Sequence, residues 1–315
     1  IIVTGDPVSI NSEIIFKCWR KFNNSIKNKI YFISNKKLLE SQFKKLKYSI
    51  NVETVKSINQ QVVGNKLKVL DVAFNFKDPF RINKKVSSKF VLSCLNYAHY
   101  LSLNKNVIGL INCPIDKNLL NKSNIGVTEY LAKKCGGNKD SVVMLIFNKK
   151  LSVCPITTHM DVKKISNKIK SSAIIKKVKK IDAWYKKNFQ KKPKIAILGL
   201  NPHNAELRKN SEEKKQIIPA ILKLKKLKMR VFGPLSADTV FINHKKYNVI
   251  VGMYHDQVLG PFKTLFKFDA INLTLGLKYI RNSPDHGTAI QLIGKNKANY
   301  ESLMKCIYFL NNLKK

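Results

Sequence analysis

Apolar residues arrive in two rhythms along this chain. Short continuous runs, IIVT (1–4), YFIS (31–34), VVG (62–64), NVIGLINCP (106–114) and NVIVGMY (248–254), have the length and β-branched content of buried strands. Between them the period lengthens. SSKFVLSCLNYAHYLSL (87–103) places apolar side chains at 90, 91, 94, 95 and 98, one face of a helix. Further helices are expected from Ser12-Glu13, up to about residue 136, over 161–189, over 212–228 and over 298–313. SVVMLIFNKKLSVCPITTH (141–159) reads as two strands about a turn at Asn148-Lys149, and KIAILGLNPH (194–203) as a strand with its following loop. Strands alternating with helices predict an α/β architecture, largely parallel, with one antiparallel insertion.

Composition narrows the class. The 315 residues suffice for about two domains. No apolar run approaches the roughly 20 residues that span a bilayer, and no basic-then-apolar leader opens the chain, so no membrane partner is expected. Six cysteines at 18, 94, 113, 135, 154 and 306 lie far apart, the pattern of reduced thiols in a cytoplasm. The formal charge of +40 suggests a polyanion partner. Yet only Arg20, Arg81, Arg208, Arg230 and Arg281 are arginine, and the lysines accompany abundant Ile and Asn, as a compositional bias produces. KKVKKIDAWYKKNFQKKPK (176–194) and LKLKKLKMR (222–230) leave their lysines on a solvated helix face, so no specific nucleic acid is expected.

The histidines carry the sharper signal. His159, His203 and His255 each follow a predicted strand, and open α/β sheets gather ligands at the carboxyl ends of their strands. Each alone suits a satisfied loop imidazole; together they suit a shared divalent metal. His99 within a helix and His244 within a turn carry no such implication. Polar groups suited to an anionic substrate lie near: Lys117 after CPID, Lys263 eight residues past His255, Asn272 in INLTLG, and Arg281, one of few arginines in a lysine-rich chain. SPDHGTAIQLIGKNKA (283–298) places His286, Gly287 and Thr288 at what spacing marks as a capped helix start; no GxGxxG occurs.

Taken in order, IVTGDPVSINSEI, INCPIDK, GVTEYLA, TTHMDV, GLNPHNAE, GPLSADTVF, MYHDQVLGPFK, INLTLGLKYIRNSPDHGTA and GKNKA resemble the 4-hydroxythreonine-4-phosphate dehydrogenases across essentially the whole chain. That resemblance implies two α/β/α domains of the isocitrate/isopropylmalate dehydrogenase-like type with a cleft between them. Residues 1–125 plus 276–315 would form the first, on the cofactor side, and 126–275 the second, with the metal ligands and the dimerisation surface. It further implies that His159, His203 and His255 bind a divalent metal (Zn, Mg, Co or Mn) shared across a homodimer interface. Thr128, Lys263, Asn272 and Arg281 would bind substrate, Lys117 and Asp238 would serve in the active site, and His286, Gly287 and Thr288 would contact NAD or NADP. The implied reaction is oxidation of 4-phosphohydroxy-L-threonine and loss of CO2 to give 3-amino-2-oxopropyl phosphate, in pyridoxal 5'-phosphate synthesis. The chain departs from the pattern at three places. Val127 stands where the family's GHTE has histidine, Ser9 and Asn11 replace glycines in GDPVSINSE, and no glycine occurs between 201 and 232. These departures leave room for a related 4-phosphorylated acid (threonate or erythronate phosphate) as substrate, or for a catalytically impaired polyanion-binding homologue.

Overall fold

The computed structural model describes residues 1–120 and 126–313. They divide into two compact units, 1–139 with 277–313, and 140–276. The first crossing expected at 125/126 touches residues outside that description, and the helix Val127–Lys134 that carries Thr128 falls within the first unit. The strands in chain order are β1 (Ile2–Val3), β2 (Phe32–Ser34), β3 (Val52–Thr54), β4 (Leu67–Asp71), β5 (Leu110–Asn112), β6 (Val143–Phe147), β7 (Ser152–Pro155), β8 (Ile195–Leu198), β9 (Val231–Leu235), β10 (Val249–Gly252), β11 (Ile271–Leu275) and β12 (Arg281–Pro284).

In the first unit the strands run in the order β3-β4-β2-β1-β5-β12, and every pairing is parallel. A parallel sheet is covered on both faces, which explains strands made of unbroken apolar runs. The helix Lys84–Ser102 packs on one face through Phe90, Val91, Cys94, Leu95 and Ala98, the five positions its periodicity marks, against Val3, Ile33, Leu70 and Leu110. Asn83 caps it by accepting from Lys85 N. Residues 62–64, expected as a strand, are instead an exposed turn: Val63 is 93% exposed and Gly64 has φ +87°. The strands there are β3 and β4, on either side.

The second unit has the order β11-β6-β7-β10-β8-β9. Its first three strands are antiparallel neighbours and its last four run parallel. The expected hairpin is β6–β7, closed where Asn148 N donates to Leu151 O at 3.0 Å. The helix expected over 161–189 breaks near Ile169 into Ile165–Lys168 and Ser171–Phe189. The longer piece buries Ile174, Val178, Ile181 and Tyr185 as one stripe and turns Lys176, Lys179, Lys186 and Lys187 outward, while Lys177 and Lys180 reach in to donate to the backbone carbonyls of Ile156 and Ser141. β9, β11 and β12 escape the sequence reading because their apolar residues are interrupted by Gly, Asn and Arg. Among the described residues no helix is long and apolar enough to cross a membrane.

Candidate functional site

β7, β10 and β8 are adjacent and parallel, so their carboxyl ends emerge side by side. His159, His255 and His203 follow those three ends. Pairing continues past the strands: Ile156 N donates to Gly252 O at 2.8 Å, and Thr157 donates to Met253 O through its amide at 3.0 Å and its hydroxyl at 2.8 Å. This extension carries His159 and His255 to neighbouring positions, with ring centroids 5.7 Å apart. Both line an open pocket of about 210 Å³ with Thr157, Thr158, Tyr254 and Asp256. His159 holds φ +23°, a conformation L residues rarely adopt.

The three polar residues that end the β10 run have three separate tasks. His255 faces the pocket. Asp256 accepts from His255 Nδ1 at 2.7 Å, which places the ring proton on Nδ1 and leaves the lone pair of Nε2 facing away from the carboxylate. Gln257 turns inward, accepting from Met253 N at 2.7 Å and donating to Gly199 O at 2.8 Å, so it ties the end of β10 to the end of β8. Such a pair fits a divalent cation in donor type and in the carboxylate behind one ring. His203 lies on the turn Pro202–Leu207. Among the described residues no group of three or more His, Cys, Asp or Glu stands close enough to hold a metal. Of the three histidines expected as ligands, His159 and His255 are the two that the structure brings side by side.

In the first unit Arg281 lies on β12 beside β5 and is 3% exposed. Its Nε donates to Asn112 Oδ1 at 2.7 Å and its Nη1 to Thr128 Oγ1 at 3.3 Å, which joins two of the expected substrate residues. Burial pushes its pKa down to about 10, with Cys306, Tyr279 and Glu129 pulling the other way. Lys117 is exposed on the turn Lys117–Leu119, whose start Asp116 caps. Asp6, which sequence reasoning passed over, is buried just past the end of β1. Asp6 accepts from Val8 N at 2.9 Å and from Asp116 N at 3.4 Å, tying the GDP and CPID loops, and burial raises its pKa to about 6. A lone acid between glycine and proline at a strand end was the available signal.

In the second unit Lys263 is half-buried on the helix His255–Phe266, and Asp238 is exposed on the short helix Ala237–Val240. Asn272 on β11 encloses an Oδ1 with no hydrogen-bond partner.

The expected helix start at Thr288 is not formed; Ile290–Leu292 is a single 3-10 turn, entered through Ala289 at φ +45°. Thr288 O accepts from Ile10 N at 3.2 Å, so this loop rests against the helix Asn11–Lys21. There the two replaced glycines do structural work. Ser9 Oγ donates to Asp6 O at 2.6 Å and accepts from Asn11 N at 3.1 Å, while Asn11 Nδ2 donates to Pro114 O at 2.8 Å. Gly5 is retained where it is required: φ is +78° and a Cβ would stand 2.5 Å from Pro114 O. Asn11 Oδ1 and Ser12 Oγ are enclosed without hydrogen-bond partners.

This sheet architecture, with polar groups delivered to the ends of parallel strands, defines an α/β protein of the dehydrogenase-like class. Residues 25–310 match the family described as pyridoxal phosphate biosynthetic protein PdxA, and the chain belongs to that family. A 4-hydroxythreonine-4-phosphate dehydrogenase of Sulfurihydrogenibium sp. is 38% identical over 312 residues, covering 97% of this chain and 95% of the relative. A protein of Oceanobacillus iheyensis, provisionally named D-threonate 4-phosphate dehydrogenase, is 30% identical over 98% of this chain and 95% of its own. The crystal structure of the Klebsiella pneumoniae 4-hydroxythreonine-4-phosphate dehydrogenase superposes with a TM-score of 0.87 at 26% identity, covering 98% of this chain and 97% of that one.

Proposed function

We propose that this chain oxidises 4-phosphohydroxy-L-threonine with NAD or NADP and releases CO2, giving 3-amino-2-oxopropyl phosphate, as a homodimer with a divalent metal. The observation that carries the reading is the imidazole pair His159 and His255, brought to one pocket by adjacent parallel strands in a member of this family. His203 of a second copy would complete the ligand set. When bound, the nicotinamide supplies the hydride acceptor and the cation an electrophile that offsets the negative charge of decarboxylation.

The protein's own residues bind and orient. Arg281 stays ionised despite burial, since a pKa of about 10 is still well above neutral pH, and offers its fork to a phosphate or carboxylate beside the Thr128 hydroxyl. Lys263 supplies a second cation, and Asn272 Oδ1 a buried acceptor for a substrate hydroxyl or ammonium. Asp256 keeps the His255 ring in one tautomer. His286, Gly287 and Thr288 would meet the dinucleotide, beside the unpartnered Asn11 and Ser12 atoms.

One observation favours a second substrate. Val127 packs against the first unit's apolar core, so a substrate loses the donor that the family's histidine would supply at this position. A 4-phosphorylated threonate or erythronate is the alternative. NADH formation measured with both substrate types decides: turnover of the threonine-type substrate upholds the proposal, and turnover of only the hydroxy acid transfers it.

A further inference from the structure

Three consecutive backbone groups, Gly199 C=O, Leu200 N–H and Asn201 N–H, lie between the end of β8 and the His203 turn. Each is met by a buried side chain from elsewhere in the second unit. Glu213 Oε1 accepts from both amides at 2.8 Å, and Gln257 Nε2 takes the carbonyl at 2.8 Å. The Asn201 side chain closes the net, donating to the two Glu213 oxygens at 3.3 and 3.1 Å and to Glu212 Oε2 at 2.9 Å. Gly199 leaves room for it: a Cβ would stand 2.2 Å from Asn204 Oδ1 and 3.1 Å from Glu213 Oε1.

Glu213 has no exposed surface. It opens the π-helical turn Glu213–Ile217, where the helix dipole favours a negative charge. Burial by itself raises such a carboxyl, but the bonds from Asn201 and Leu200 hold it below its ordinary value, so the net is made with the ionised form. Immediately beyond the pinned groups, five residues without a glycine, His203 to Leu207, all hold φ between +48° and +57°. L residues avoid that region, and a turn of this hand persists only where its surroundings over-determine it. The buried net at its base supplies that determination, where a glycine-rich loop would need none.

We propose that Glu213, acting with Gln257, is a positioning residue: its carboxylate clamps Gly199–Asn201 so that the glycine-free turn presents His203 at the head of β8. The assignment rests on the reading of His159, His203 and His255 as ligands of a divalent cation. Buried as it is, Glu213 acts through the turn and not by contact with the ion.

The test uses the full chain stripped of metal, with zinc alone as the probe and a chromogenic chelator as competitor. Glu213→Gln keeps size but sets an amide against the donating Asn201 side chain. It is expected to weaken zinc binding about tenfold or more, the usual cost of losing a supporting group, and to speed hydrogen exchange at the Leu200 and Asn201 amides, while cooperative thermal unfolding of the metal-free protein persists. Asn201→Ala, which removes only the side-chain half of the net, is expected to shift both readouts the same way by less, and decides the matter if Glu213→Gln does not fold. Unchanged zinc affinity in these variants, with affinity lost in His159→Ala and His203→Ala, overturns the clamp alone. Unchanged affinity in the histidine variants overturns the metal reading, and the clamp's purpose with it.

Discussion

Replacing Arg281 by methionine is expected to abolish the protein's response to phosphate with little change in its stability. The guanidinium is 3% exposed and donates to Asn112 Oδ1 and Thr128 Oγ1, with Cys306, Tyr279 and Glu129 favouring its charged form. With its pKa pushed down to about 10, and each tenfold change in proton affinity worth about 1.4 kcal/mol, holding the charge inside costs on the order of 3 kcal/mol. The folded pKa lies below the unfolded one, so that cost is relieved only as pH rises above about 10 and is fully present across the neutral range. Methionine matches the stem of the side chain and removes the charge. The Thr128 hydroxyl can turn to another partner, but Asn112 Oδ1 loses its donor in a buried setting, a loss of about 1–3 kcal/mol. The two effects oppose each other and largely cancel, so the Tm is expected to stay within about 5 °C of wild type. Thermal unfolding with and without inorganic phosphate checks both halves. Phosphate is expected to raise the wild-type Tm by mass action and to leave the variant where it was. A variant several kcal/mol less stable than wild type, with its phosphate shift intact, would show that Arg281 is a structural strut and refute the assignment.

Asp6→Asn is expected to gain stability relative to wild type as pH rises. The folded pKa of about 6 is above the unfolded value, so the stability Asp6 lends at acid pH disappears as pH climbs through about 6. Urea unfolding at ~pH 4 and ~pH 7 should show the difference moving toward the variant by up to about 3 kcal/mol. Gly252→Ala would place a Cβ 2.4 Å from Val258 Cγ1 and 3.0 Å from Gln257 Oε1. A stability loss of about 1–3 kcal/mol in denaturant titrations is expected, with weaker zinc binding because Gln257 must shift. Binding of nonspecific DNA is expected to fall steeply with added salt and to be insensitive to sequence, since Lys176, Lys179, Lys186 and Lys187 lie on the solvated face of Ser171–Phe189. Retention at high salt would restore the polyanion reading.

Elements with a strong period are legible in the amino-acid sequence alone. The helix around Phe90, Val91 and Leu95 needs only its own repeat, and β10 only its unbroken apolar run. β12 was not legible, because Arg281 and Asn282 are polar residues whose burial depends on what covers them. Val63 failed in the opposite sense: it has strand-forming chemistry but no neighbouring strand to receive it. The site shows the same division. That His159 and His255 follow strands could be read along the chain, and so could the expectation of a metal. That β7 and β10 are neighbours, and that Gln257 reaches Gly199 across the sheet, follows only from strand order.

The amino-acid sequence by itself determined the alternation of strands and helices, the core-facing positions within them and the chemical kinds of group at the strand ends, because each is set by periods of two to four residues. Tertiary structure alone decided which of those groups meet. Strand order places residues 159 and 255 in one pocket although 95 residues of chain lie between them, and it gives Glu213 and Arg281 the burial that makes one carboxylate an anchor and one guanidinium a costly, retained charge. Contact between distant residues is a property of packing, and no local pattern encodes it.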